Sequence, residues 1–295
     1  MVSSTRRRFR VLRRYCRYWL PGTNVVKKVR ELLHGIIHDG DYLVISEKAI
    51  STALGNLFDE DLIPVSSLDK VITLLYQRVF CGLFLVKILK LRREFVELLL
   101  HYPITDGSKH KKFVLISYGV RHFLKPIGEA GVDATNVPYK LVSLPLSPDT
   151  ATRVAKLISG TILSELGVRV KVLIVDSDRL YVHKCNPRII LATRSTCIPW
   201  AKNLGFFGYF LGRFFRYVFS EYPTIVGSSV PVTLENVAEL LEVARIAERV
   251  RGFGLGRTVL DVSRRVGKEF HEVTWSDLLR FRHCPIVVIR KKSLT

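Results

Sequence analysis

Apolar positions along the chain alternate between helical and strand-like patterns. After the turn Pro21-Gly22-Thr23-Asn24, Val25, Val26, Val29, Leu32 and Leu33 fall at helical spacing, which predicts an amphipathic helix over 25–33. His38-Asp39-Gly40-Asp41 reads as the next turn, and Tyr42–Ser46 as a short buried strand leading into Glu47–Ser51. Residues 57–105 are mostly helical in pattern; Asp106–Lys112 reads as a polar loop before a strand at Phe113–Tyr118. Ser147-Pro148-Asp149 opens the clearest helix, with a capping hydroxyl, a proline at the first helical position and an acid that complements the dipole. Ala151, Val154, Ala155, Ile158, Ile162 and Leu166 form its apolar face, and Gly167 stops it. Val168–Val175 then runs as a strand into Asp176-Ser177-Asp178.

Further along, glycines at 205, 208 and 212 leave one face of an aromatic helix nearly bare for close packing. A second long helix is predicted from Thr233 to Gly252, then a short helix opened by Thr274–Asp277 and a strand at Ile286–Ile289. A helix followed by an apolar strand ending in acids is an α/β signal, so the expected fold is α/β, with mixed sheets and helices. Ligands in such sheets gather at the carboxyl ends of strands. The expected organisation is a basic segment over 1–18, forming an edge strand, and one domain over 19–295 with a smaller subdomain around 180–230.

Composition narrows the function classes. The chain has 295 residues, 48% of them apolar, which excludes disorder and supplies a sizeable core. The five cysteines are scattered without a C-x-x-C pair, so neither a disulfide framework nor a zinc knuckle is indicated, and a cytoplasmic location is expected. The stretch from Val71 to Leu89 is broken by Gln77, Arg78 and Lys87, and that from Leu204 to Phe219 by Arg213 and Arg216. Both are expected to be core helices, with no transmembrane segment, although peripheral membrane contact by the second stays open. No apolar core of about 7–15 residues follows the first arginines, so a secretory signal is not expected.

Charge is unevenly placed: Lys and Arg total 46 against 26 Asp and Glu, a net +20, and half of that excess lies in residues 1–30. Arg6, Arg7, Arg8, Arg10, Arg13, Arg14 and Arg17 alternate with Phe9, Val11, Leu12, Tyr15 and Trp19. This could be a nucleic-acid arm with stacking aromatics, or an edge strand with a solvated arginine face. The edge strand is favoured, because the rest of the chain shows no nucleic-acid signature.

Three constellations could carry chemistry. Asp133, in the small-residue loop Glu129–Pro138, and Asp176, Ser177 and Asp178 are hard oxygen donors of the kind Mg²⁺ or Mn²⁺ requires beside phosphate; the plainer alternative is that the acids cap turns. Lys48 with Ser51 could hold a nucleotide's phosphates, against the default of an exposed lysine. Gly254, Gly256, Arg257 and Thr258, in the run Arg251–Thr258, could close on an anion or simply stop a helix. That run lacks both a dinucleotide fingerprint and a P-loop, and the chain has no G-x-S-x-G elbow.

Four segments, taken in order, resemble the coenzyme F420-0:L-glutamate ligase family. They are Pro21–Asn24, Asp39–Ser51, Ala130–Pro138, and Leu144–Asp149 through Val175-Asp176-Ser177. The resemblance implies an F420-0:glutamate ligase-like fold and addition of L-glutamate to a carboxylate acceptor such as coenzyme F420-0 through an acyl phosphate. It implies GTP as co-substrate, Mg²⁺ or Mn²⁺ together with K⁺, and a homodimer. It places Asp133, Asp176 and Ser177 at the metal and Lys48 and Asn136 at the nucleotide; Asp178, an extra carboxylate beside Asp176, could replace a missing ligand. Asp178-Arg179-Leu180-Tyr181 stands where the family has Gly-Arg-Pro, and Phe281–Pro285 where it has Met-Gly-Gln. Thr52 stands where a lysine is usual. These departures keep two alternatives open: a member that has lost catalysis and acts as a binding or scaffold protein, and a basic nucleic-acid-associated protein.

Overall fold

In the computed structural model, which describes residues 9–292, the Ser147 hydroxyl accepts the Thr150 N–H and Pro148 takes the first helical position, so the helix begins where its capping chemistry puts it. Arg6, Arg7 and Arg8 lie outside the described residues. The strands are β1 (Phe9–Arg17), β2 (Tyr42–Ser46), β3 (Leu57–Asp59), β4 (Leu141–Ser143), β5 (Lys171–His183), β6 (Ile190–Ala192), β7 (Lys202–Asn203), β8 (Phe219–Ser228) and β9 (Arg282–Lys291). The helices are α1 (Val25–Leu33), α2 (Glu47–Ala53), α3 (Ser67–Leu89), α4 (Arg93–His101), α5 (Ile104–Tyr118), α6 (Val120–Phe123), α7 (Pro148–Leu166), α8 (Phe206–Phe214), α9 (Val237–Arg251), α10 (Val259–Val266) and α11 (Trp275–Leu279).

The main sheet runs β1-β9-β2-β5-β6-β7, with β8 also paired to β5; β3 and β4 form a separate pair. β2 and β5 are parallel, whereas β9 is antiparallel to both β1 and β2. Strand alternation builds a three-layer core. Leu43, Ile45, Val172, Ile174, Ile286 and Val288 face α1, α2 and α7. Tyr42, Val44, Leu173, Val175, Val287 and Ile289 face α9 on the other side. The α/β class and mixed sheet are as expected.

Several elements differ from the sequence expectation. Residues 106–118 form neither loop nor strand: they continue helix α5. Its charged residues are used internally, because Lys111 is buried and donates to Glu129 Oε1 at 2.5 Å and to the carbonyls of Phe123 and Lys125. The second long helix starts at Val237, since the Asn236 side chain takes the Thr233 N–H in a turn before it. The aromatic helix ends at Phe214, and β8 begins at Phe219.

The stretch expected as a core helix, Val71–Leu89, lies in α3 at the surface. Its middle, Leu74–Leu85, is a π-helix. Thr73, Gln77, Cys81, Leu85 and Leu89 are buried, one every fourth residue, and the wider π turn keeps that spacing on one face better than an α-helix of about 3.6 residues per turn would. Only 28% of its most apolar stretch is buried, and by length and composition α3 is long and apolar enough to cross a membrane.

The bare helix face at 205–212 is used as expected. A Cβ on Gly212 would lie 2.0 Å from Cγ of the buried Tyr181 ring, so α8 reaches β5 only through glycine there. Gly212→Ala should destabilise the protein by about 1–3 kcal/mol in chemical denaturation, the usual cost of overpacking, and a change near zero would show that this contact is not close-packed.

Candidate active site

β5 does not stop at its acids, as the sequence pattern suggested. It pairs with β2 through Val175 and with β6 from Leu180, and between these partners it bulges. On the β8 side Asp176 opposes Thr224 while Arg179 already opposes Pro223, so Ser177 and Asp178 are extra residues pushed out of the ladder. β2 ends alongside, at Ser46, and delivers Glu47 and Lys48. The parallel pairing thus ends where β2 ends and β5 bulges, and a cavity of about 310 Å³ opens there. Its wall includes Lys48, Asp133, Asn136, Asp176, Ser177, Asp178, Arg251, Gly254, Gly256 and Arg257.

The floor is organised by Arg194, which is 2% exposed. Its Nη1 donates to Asp176 Oδ2 at 2.9 Å and to Glu47 Oε2, and its Nη2 to Glu47 Oε1 at 2.8 Å and to the Leu146 carbonyl at 3.2 Å. Burial pushes the Glu47 carboxyl up to about 7, against the pull of Arg194. Burial also opposes ionisation of Asp176, but Arg194 overcomes it and holds that pKa below the usual carboxylate value. Gly131 closes over the guanidinium with φ +90°; a Cβ there would lie 2.4 Å from Nη1.

Each of the other acids also has a cation. Lys125 Nζ donates to Asp178 Oδ1 at 2.5 Å, and the burial that pushes Asp178 up to about 6 leaves its Oδ2 without a donor. Lys48 pairs with Asp133 and donates to the Thr135 carbonyl at 2.9 Å. Among the described residues no group of three His, Cys, Asp or Glu side chains is placed to hold a metal ion. With their charge already matched, Asp133, Asp176 and Asp178 do not fit a resident divalent ion, and Asp178 Oδ2 is a single donor where several are needed.

The remaining sequence candidates divide. Asn136 lines the cavity but spends its side chain on the glycine-rich loop: Oδ1 accepts from Tyr18 and Leu255 N, both at 2.8 Å, and Nδ2 donates to Phe253 and Gly256 carbonyls at 3.2 Å. Its φ of +60° places it in the left-handed region that asparagine tolerates. Ser51 is buried and donates to the Leu144 carbonyl at 2.6 Å, away from the cavity wall. Thr258 is the buried N-cap of α10, in a capping box with Asp261. Gly254, Gly256 and Arg257 stay on the wall, Arg257 stacked 3.9 Å over Phe253.

Arg251, the last residue of α9, lines the cavity and makes no ion pair or hydrogen bond among the described residues. Burial draws its pKa down. Beside it His283, stacked on Tyr18 at 4.2 Å, is pushed down to about 4 by burial and then by the Arg251 charge, so it is neutral near pH 7. Arg251 stood in the glycine-rich run read from sequence, whereas Arg194 and Lys125 carried no motif. His110 was hidden in the supposed polar loop. Its Nδ1 is 2.6 Å from Glu60 Oε1 and its Nε2 3.4 Å from Glu129 Oε2.

Two outcomes follow. Arg194→Met should cost about 3–5 kcal/mol of unfolding free energy by leaving two buried carboxylates unpaired, and Arg194→Met/Glu47→Leu should recover part of it; equal losses would argue against the pair. Burial opposes a charge on His110, but Glu60 and Glu129, the latter also bound by Lys111, outweigh it and push the pKa to about 10. The folded value lies above the unfolded one of about 6.5, so this stabilisation is complete below about pH 6.5 and is lost as pH rises towards 10. The Tm difference between the intact protein and His110→Gln should shrink across that window, and a constant difference would refute the assignment.

Known proteins bear on this geometry. An uncharacterized protein of Methanocaldococcus jannaschii is 30% identical over 291 residues, covering 94% of each chain. The family model described as F420-0:Gamma-glutamyl ligase matches residues 17–258, which include β2, α2, the Asp133 loop, the β5 bulge, Arg194 and Arg251. The match spans most of the chain, and with it the cavity between the end of β2 and the β5 bulge: the protein belongs to the F420-0:gamma-glutamyl ligase family.

Proposed function

We propose that this cavity binds a nucleoside triphosphate, GTP by family resemblance, and joins L-glutamate to the carboxylate of an acceptor such as coenzyme F420-0. The observation that carries the reading is Arg251: a guanidinium in no ion pair among the described residues, in the wall of a cavity where β2 ends beside the β5 bulge, next to a glycine-rich turn. A half-buried cation that makes no ion pair favours an anion in that space. Family membership supports the ligase chemistry.

In this reading the acceptor carboxylate attacks the terminal phosphorus, and the nucleoside diphosphate leaves. The glutamate amine then attacks the acyl carbon, and phosphate leaves as the amide forms. The chain's own part is to hold charge in place: Arg251 and Arg257 meet phosphate oxygens, while Arg194 and Lys125 fix Asp176 and Asp178 in the bulge. Mg²⁺ or Mn²⁺ enters on the nucleotide's phosphates and not as a resident ion. The ion pairs that match the acids also favour a second reading, a family member that binds nucleotide without turnover.

Calorimetric titration separates these. GTP with Mn²⁺ should bind the intact chain, and Arg251→Ala should weaken binding by about tenfold or more, the value of one charged hydrogen bond. Unchanged affinity in the variant would sink the site. Mn²⁺ titrated alone should give no saturable heat, and a saturable site for the free ion would overturn the account of the carboxylates. Phosphate release that requires both L-glutamate and F420-0 supports ligation, whereas binding without release supports the second reading.

A further inference from the structure

We propose that the outward face of α3, with the aromatic tip that follows α8, docks on an anionic lipid surface. α3 turns one row of side chains inward, where Cys81, Leu85 and Leu89 join Tyr181 and Tyr209 in a small core. The other rows are also apolar, yet Leu68, Leu75, Phe80, Leu83, Phe84 and Ile88 are exposed, Leu68 by 67% and Phe84 by 61%. A helix apolar all round is expected to be covered on every side, and here the domain covers one.

The patch continues beyond α3. Arg213 of α8 donates to the Leu89 carbonyl at 3.2 Å and joins the two helix ends. Phe207, Phe214 and Tyr217, on and just after α8, are exposed, Tyr217 by 78%. Around this end stand the exposed cations Lys87, Lys90, Arg92, Arg93 and Arg216, and Lys184 donates to the Tyr217 carbonyl at 2.8 Å. An apolar face with an aromatic tip and a rim of Lys and Arg matches the charge and polarity of an anionic headgroup layer over acyl chains.

The same rim argues against a second copy as the occupant, because two chains of net charge +20 would bring cations against cations. The helix lies on the bilayer and does not cross it. Its inner row is built into the domain core, and α4 packs so closely that a Cβ on Gly82 would lie 2.8 Å from Leu100 Cδ2. Arg92 belongs both to the rim and to the cavity wall, so the cavity opens beside the docking face.

The test uses the full chain and sedimentation with vesicles. It should sediment with equimolar phosphatidylglycerol and phosphatidylcholine, bind pure phosphatidylcholine at least about tenfold more weakly, and lose affinity as salt rises. Leu83→Glu/Phe84→Glu, at exposed positions, should abolish sedimentation with an unchanged circular dichroism spectrum. As a second measurement, Phe84→Trp should give fluorescence that shifts to the blue when the anionic vesicles are added. A chain that stays in the supernatant with both vesicle types overturns the proposal, as does binding unchanged in the double variant. A dimer in solution that Phe84→Glu splits into monomers would assign the face to a second copy instead.

Discussion

Arg194 carries a full charge into a part of the molecule almost without water, and the site takes its shape from how that charge is answered. One guanidinium ties the end of β2 through Glu47, the bulge of β5 through Asp176 and the segment before α7 through the Leu146 carbonyl. Taking such a pair out of water costs about as much as its attraction returns, so it adds little to net stability. What it supplies is placement: three distant segments are held where one planar group can bond them in only one way, and the Gly131 loop packs over that group.

The same constraint decides what the site can do. Carboxylates that look like metal ligands in sequence are each paired with an internal cation, and the cavity wall also carries Arg251, which makes no ion pair among the described residues. A positive charge so placed selects for phosphate and carboxylate groups before any shape matching begins. The family relationship fits a pocket of that charge, and the carboxylates that the sequence resemblance placed at a metal stand in ion pairs.

Much of the scaffold could be read from residues. The Ser147-Pro148 start and Gly167 stop of α7, the helix at 25–33 and the buried strand Tyr42–Ser46 are local patterns with local causes, and the structure keeps them. What could not be read depends on distant partners. The α5 segment looked like a loop because its histidine and lysines are polar, and only Glu60 and Glu129, distant in sequence, draw His110 and Lys111 inward. Asp176 seemed to end a strand because nothing local reveals that β6 takes over from β2. Lys48, Asp133 and the β5 acids were found at the cavity, whereas Ser51, Asn136 and Thr258 are used by the backbone around it.

The position of β9 has a consequence for how the chain is made. It is the last strand in the sequence, yet it lies inside the sheet between β1 and β2, pairing Phe9 with Lys291 and Ile45 with Ile286. During synthesis, β1 therefore has no partner strand and β2 lacks one side until β9 has left the ribosome. The earlier parts of the chain wait with unpaired edges, a state in which chaperones and aggregation compete for the same surface. Because β9 seals both strands, a chain lacking it leaves the edges of β1 and β2 with unpaired backbone groups, the kind of edge that templates aggregation.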